Sequence, residues 1–166
     1  MLGAGSWTGS RAPVIFSHSS AYAVCPHPRN VPDHVLEVVK QRNSLVMVNF
    51  SPDFISCTAA PDGKSLPDFY PKNSTLEHVA THIMHIGSLI GFDHVGLGSD
   101  FDGIESVPDG LDDVSKFPQL IGELLRRGVS DADAAKVAGN NLLRVWEDVD
   151  RVALDMQAEG LQPVED

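Results

Sequence analysis

The chain has few basic residues, few cysteines and no long apolar run, and two of these shortages exclude a class of protein. The sequence contains 12 Lys and Arg residues and 23 Asp and Glu residues, which gives a formal net charge of −11. A nucleic-acid-binding face needs clustered positive charge. No apolar stretch approaches the roughly 20 residues of a membrane-spanning helix. We therefore expect neither a nucleic-acid partner nor a membrane segment in this chain.

The scarcity of cysteine leaves the compartment open. Two thiols, Cys25 and Cys57, do not by themselves distinguish a disulfide from buried free cysteines. Residues 1–10 lack the basic and apolar segments of a signal peptide, so we predict a flexible leader there. The protein would be secreted or membrane-anchored if a longer parent has an N-terminal signal, and cytoplasmic otherwise. Residues 11–147 are predicted to form one domain, followed by an acidic tail at 148–166 that frays.

Three copies of one unit follow the leader: a short apolar strand, a polar loop and an amphipathic helix. The predicted strands are 13–17, 45–50 and 94–98, and the predicted helices are 32–41, 76–90, 114–126 and a last one from 130 to at least 146. Continuous β-branched strands that alternate with helices indicate a parallel sheet covered by helices. Three such strands cannot close a barrel of eight. The pattern therefore predicts an α/β fold that forms the C-terminal part of a TIM-like (β/α)8 barrel, with an additional C-terminal helix.

Two chemically capable residues stand just past the predicted strands, where parallel sheets carry their function. His18 follows the first strand, and an imidazole there suits a metal ligand or a general base. Asp100 follows the third strand, and its carboxylate could bind metal, orient a water molecule or accept its proton. A structural histidine and an Asx turn or helix cap remain the alternatives.

Other charged residues support weaker hypotheses. Arg29 lies in a proline-stiffened loop and could clamp a substrate carboxylate, although a solvated surface charge is commoner. His78, His82 and His85 share a face of the second predicted helix, but the H-E-x-x-H motif is absent. We expect these histidines to face solvent rather than bind metal. Cys25 and Cys57 lie equally far beyond the first two strands, so a disulfide between the loops is geometrically plausible.

Six segments resemble, in the correct order, the renal (membrane) dipeptidases. They are RAPVIFSHSSA at 11–21, RNVPD at 29–33, LVMVNF at 45–50, GSDFDG at 98–103, GLDDVSK at 110–116 and GNNLLRV at 139–145. The resemblance implies a (β/α)8 barrel that holds two zinc ions at its carboxyl rim and hydrolyses dipeptides. Residues 11–147 would then be part of a metallo-dipeptidase barrel.

The resemblance also assigns roles to individual residues. His18 would be the last histidine ligand and would bind one zinc ion. Arg29 would hold the free carboxylate of the dipeptide. Asp100 would contact the amino end of the substrate and handle the proton of the zinc-bound hydroxide. Phe54 stands where many relatives have a tyrosine near the substrate, so a hydroxyl contact would be lost there.

Two further expectations depend on the resemblance. Cys25 and Cys57 match positions that are bridged in secreted family members. The other zinc ligands of the family belong upstream of residue 11, so we expect a fragment with an incomplete di-zinc site and little activity of its own. The alternative is a non-catalytic relative or binding module of the same ancestry. We also consider a homodimer.

Overall fold

The computed structural model describes residues 9–162, which form short strands and longer helices. The strands are β1 (Ile15–Phe16), β2 (Leu45–Val48), β3 (Cys57–Thr58), β4 (Asp68–Phe69) and β5 (Val95–Leu97). The helices are α1 (Asp33–Gln41), α2 (Pro52–Ile55), α3 (Leu76–Ile90), α4 (Phe117–Arg126), α5 (Asp131–Ala135) and α6 (Asn141–Ala158). None of the helices within this range is long and apolar enough to cross a membrane. Most of the predicted leader, residues 1–8, lies outside the described residues.

The central element is a three-stranded parallel sheet with β2 between β1 and β5. Ile15 of β1 stands beside Leu45 of β2, and Val46 of β2 stands beside Val95 of β5. This arrangement confirms the predicted parallel sheet. Each strand is shorter than predicted. β1 and β5 lose residues at both ends, and β2 ends at Val48, before Asn49 and Phe50.

Helix α3 covers the sheet and forms much of the core. Its buried residues Val79, Ile83 and Ile86 recur at spacings of three and four, so they lie on one face of the helix. The helix begins after Thr75, whose hydroxyl accepts a hydrogen bond from a first-turn N–H group. It ends at Gly91, whose φ of 96° lies in the left-handed region that glycine tolerates. These bounds agree with the predicted helix.

The chain is helical beyond residue 148, where the sequence predicts a frayed acidic tail. Helix α6 continues without a break past Asp148 to Ala158. Asp148 pairs with Arg151 one turn later. Beyond the helix, the Arg11 guanidinium donates hydrogen bonds of 2.6 and 2.8 Å to Glu159. Both pairs bring an arginine next to an acidic side chain of this segment.

The long loop predicted at residues 51–72 has some regular structure. Pro52 occupies the first position of the single turn α2, where its missing N–H is not needed. Further on, β3 and β4 pair in antiparallel fashion, with Cys57 beside Phe69. The segment therefore folds as a small unit above the carboxyl end of β2.

Candidate active site

Three backbone hydrogen bonds connect the carboxyl ends of the parallel strands. The Ser19 N–H donates to the Met47 carbonyl over 2.9 Å, and the Gly98 N–H donates to the Val48 carbonyl over 3.0 Å. The Phe50 N–H donates to Ser99 over 3.3 Å. The loops that follow β1, β2 and β5 therefore start at the same edge of the sheet.

Gly98 permits a close approach between the two outer strands at this edge. A Cβ atom at this position would lie 2.1 Å from the Ser17 carbonyl oxygen and 2.9 Å from the Met47 carbonyl oxygen. No side chain fits in that space, so glycine is required for the approach. The residues that follow, His18 after β1 and Asp100 after β5, are consequently brought to a common rim.

His18 is half-buried at this rim. Its Nδ1 atom lies 2.7 Å from the Ser17 hydroxyl, with which it shares a hydrogen bond. This contact orients the ring and leaves Nε2 as the nitrogen available to a ligand. This geometry suits the predicted metal-binding role of His18.

Asp100 adopts an uncommon backbone conformation, with φ of 63° in the left-handed region. Its Oδ2 atom accepts a hydrogen bond of 3.1 Å from the Asn49 side-chain amide. A 3-10 turn follows at 101–103, and within the described chain the Asp100 carboxylate does not cap it. The carboxylate is held by a side chain of the neighbouring strand end, so the helix-cap alternative for Asp100 is wrong.

Arg29 and Phe54 form a stacked pair in the two loops that follow β1 and β2. The guanidinium carbon of Arg29 lies 5.1 Å from the centroid of the Phe54 ring, within the range of a cation–π contact. The Phe54 ring also contacts His27, with the ring centroids 4.5 Å apart. Burial, and then the nearby charge of Arg29, lowers the pKa of His27 below its usual value. The exposed Arg29 is thus oriented by an aromatic neighbour.

A disulfide and a buried amide join these two loops. Cys25 and Cys57 are bonded, with their Cα atoms 5.2 Å apart, so the predicted disulfide is present in the structure. The Asn30 amide donates to the carbonyl oxygens of Cys25 (2.9 Å) and Phe54 (2.6 Å). These bonds hold together the two loops that carry Arg29 and Phe54. Apart from its place in the loop, nothing in the sequence predicts that Asn30 bridges these two carbonyl oxygens.

The expectation that the three helix histidines face solvent is wrong for His82. This residue is fully buried. Its Nδ1 accepts a hydrogen bond of 3.0 Å from the Ala21 N–H, so Nε2 carries the proton and donates to the Ile55 carbonyl over 2.8 Å. Burial lowers the pKa of His82 to about 3. His78 and His85 are half-buried, and His85 contacts a carboxylate on α1 over 2.8 Å.

The donor set bears on the metal that the family resemblance implies. An imidazole is a good zinc ligand, and the Nε2 atom of His18 fits that use. Within residues 9–162, no group of three or more His, Cys, Asp or Glu side chains is arranged to hold a metal ion. The described residues can therefore supply part of a zinc coordination sphere.

Comparison with known proteins connects this rim to an enzyme family. Residues 6–160 match the family model of the membrane dipeptidases, peptidase family M19. The chain is 52% identical over 157 residues to dipeptidase aclJ of Aspergillus oryzae, an alignment that covers 95% of this chain and 34% of the relative. It is 47% identical over 155 residues to dipeptidase tcpJ of Claviceps purpurea, covering 93% and 33%. The chain thus spans about a third of the length of these curated relatives.

Solved structures give the same assignment. A metallo peptidase from Rhodobacter sphaeroides, liganded with a phosphinate mimic of the dipeptide L-Ala-D-Ala, superposes with a TM-score of 0.70 at 32% identity, covering 84% of this chain and 37% of that one. The probable dipeptidase PvdM from Pseudomonas aeruginosa gives 0.71 at 26% identity, covering 86% and 46%. Because the family match extends over nearly the whole sequence, the chain belongs to the membrane dipeptidase family, peptidase family M19.

Proposed function

We propose that this chain supplies one side of the active site of a zinc-dependent dipeptidase, as part of a (β/α)8 barrel. The observation that carries the proposal is the common rim formed after β1, β2 and β5. Gly98 permits the close approach of the outer strand ends, and His18 and Asp100 follow shortly after those ends. The carboxyl edge of a parallel sheet is where barrel enzymes place their reacting groups.

Arg29 is suited to bind the free carboxylate of a dipeptide. Its guanidinium offers several N–H donors in one plane, which match the two oxygens of a carboxylate. The Phe54 ring beneath it restricts the side chain before substrate arrives, so less conformational freedom is lost on binding. Phe54 therefore acts through stacking, where a tyrosine could also donate a hydrogen bond.

Asp100 and His18 would act at the other end of the substrate. The Asp100 carboxylate can accept hydrogen bonds from a free amino group and can take a proton from an attacking water. His18 would hold a zinc ion through Nε2, while the Ser17 hydroxyl orients the ring through Nδ1. When bound, zinc would polarise the scissile carbonyl and make a water molecule more acidic.

The substrate class follows from this pairing of charges. Arg29 in the loop after β1 would bind a carboxylate, and Asp100 after β5 would bind an amino group. Together they would select a short peptide with both termini free. Two relatives named as dipeptidases and a similar structure that holds a mimic of L-Ala-D-Ala support the same class. We therefore choose L-Ala-D-Ala as the test substrate.

The proposal can be tested in a hybrid enzyme. In the hybrid, this chain replaces the segment of the A. oryzae dipeptidase with which it aligns, and the intact relative is the positive control. We expect the zinc-loaded hybrid to hydrolyse L-Ala-D-Ala. Arg29→Met should raise KM by about 10- to 100-fold, since it removes a charge-assisted bidentate contact. The same variant should leave hydrolysis of the C-terminally amidated dipeptide almost unchanged.

Two results would contradict the proposal. A folded hybrid that binds the dipeptide without hydrolysing it would favour a non-catalytic binding module. An Arg29→Met hybrid with an unchanged KM for the free dipeptide would remove the carboxylate-binding role. Circular dichroism spectra of both hybrids establish that the comparison concerns folded proteins.

A further inference from the structure

Asn49 is a fully buried polar residue at the carboxyl end of β2. An unsatisfied amide in this position would be costly, so both ends of the side chain need partners. The Ser51 N–H donates to Oδ1, a contact that a backbone amide can make only with the oxygen. This contact fixes the amide orientation and directs Nδ2 toward Asp100.

The Asp100 carboxylate has two neighbours. The Asn49 amide donates a hydrogen bond to one of its oxygens, and Gly103 lies next to the other. Asn49 Nδ2 lies 3.1 Å from Oδ2. A Cβ atom on Gly103 would lie 2.5 Å from Oδ1, so only glycine leaves room for that oxygen. The Gly103 N–H also donates to the Asp100 carbonyl over 2.8 Å, which stabilises the left-handed backbone. The carboxylate is therefore held by the Asn49 amide, beside a turn whose glycine leaves room for it.

We propose that Asn49 is a positioning residue, whose amide holds the Asp100 carboxylate in its working orientation at the rim. The inference rests on the proposed function of Asp100. An amide suits the task because it donates a hydrogen bond without exchanging a proton, so Asp100 remains the group that accepts one. Asn49 directly follows β2 and is fully buried, and a group anchored at a strand is placed more accurately than one held by a loop.

A double-mutant cycle in the hybrid separates positioning from simple structural support. We expect Asn49→Ala to lower kcat by about 100-fold, the cost of a small misplacement of a reacting group. Asp100→Ala should lower kcat at least as far. If Asn49 acts through Asp100, the double variant should match Asp100→Ala within about twofold, because the two changes remove one shared interaction.

Ser20→Ala is the matched control. Ser20 is fully buried beside Asn49, and its hydroxyl donates to the Asn49 backbone carbonyl over 3.1 Å. The substitution perturbs the same strand end and leaves the Asn49–Asp100 hydrogen bond in place. It should lower the melting temperature of the hybrid and leave kcat within about threefold, less than 1 kcal/mol of activation free energy.

A second measurement on the full chain does not depend on activity. In a nitrogen–proton NMR spectrum, the Asn49 side-chain amide resonances should shift on Asp100→Ala and stay in place on Asp102→Ala, which removes an exposed carboxylate from the same turn. Unmoved resonances would overturn the contact. An active hybrid in which the effects of Asn49→Ala and Asp100→Ala multiply would overturn the positioning role alone. An inactive unsubstituted hybrid would instead overturn the proposed function, and this inference with it.

Discussion

Burial of His82 should make the stability of this chain depend on pH. The ring is fully buried, and its pKa falls from the usual 6.5 to about 3, chiefly because burial penalises the charged form. In the unfolded chain the same ring regains an ordinary pKa. The unfolded state therefore binds a proton first as the pH falls. The stability contribution is complete above pH 6.5 and is lost progressively between pH 6.5 and pH 3.

The expected loss follows from these two pKa values. Lowering the pH from 7 to 5 should reduce the free energy of unfolding by about 2 kcal/mol through His82 alone. With a urea dependence of about 1–3 kcal/mol per molar, the midpoint should fall by about 1 M. His78 and His94 contribute in the same direction, because burial lowers their pKa values as well.

A substitution isolates the contribution of His82. His82→Gln keeps amide donors and acceptors but removes the titrating group, so the loss between pH 7 and pH 5 should shrink by about 2 kcal/mol. The assay is urea denaturation followed by circular dichroism at both pH values. Val79→Ala, at a fully buried neighbouring position, controls for lost stability without a change in titration. Equal losses in the unsubstituted chain and His82→Gln would refute the reasoning.

Three further substitutions test other parts of the structure. Replacing both Cys25 and Cys57 with serine opens a link across a sequence separation of 32 residues and should cost about 3–4 kcal/mol of unfolding free energy, measured by urea denaturation. Phe54→Leu removes the ring stacked on Arg29, a contact worth about 0.5–1 kcal/mol. It should raise the KM of the hybrid by about two- to fivefold, with a smaller change in kcat. An unchanged KM would contradict the stacking role. Gly98→Ala would place a Cβ atom 2.1 Å from a backbone carbonyl oxygen and should lower the melting temperature more than any other single alanine substitution at the rim.

Much of the fold can be predicted from the sequence because its strands and helices have unambiguous patterns. Val46 and Val48 belong to an uninterrupted apolar run, which is typical of a strand buried on both faces of a parallel sheet. Val79 and Ile86 recur at helical spacing, and Gly91 stops that helix. The family resemblance, in turn, identified the disulfide, whose bond the structure contains.

Tertiary contacts explain what the sequence did not predict. A polar ring at position 82 predicts a solvent-facing side chain. The structure buries His82 because its two backbone partners, Ala21 and Ile55, belong to segments that are distant in the sequence. The sequence places Asn49 at an ordinary strand end, and the partner of its Nδ2 atom, Asp100, comes from the segment after another strand. The ion pair at the end of α6 likewise involves Arg11, which lies far away in the sequence.

The central claim is that this rim forms part of a dipeptide-hydrolysing metal site, and its most direct test is the effect of His18→Ala on the hybrid. The measurement is kcat for L-Ala-D-Ala hydrolysis with zinc present, together with the zinc content of the purified protein. We predict that the unsubstituted hybrid turns over its substrate and that His18→Ala lowers both the bound zinc and kcat, the latter by at least about 100-fold. A folded His18→Ala hybrid that keeps its zinc and its full kcat would contradict the account.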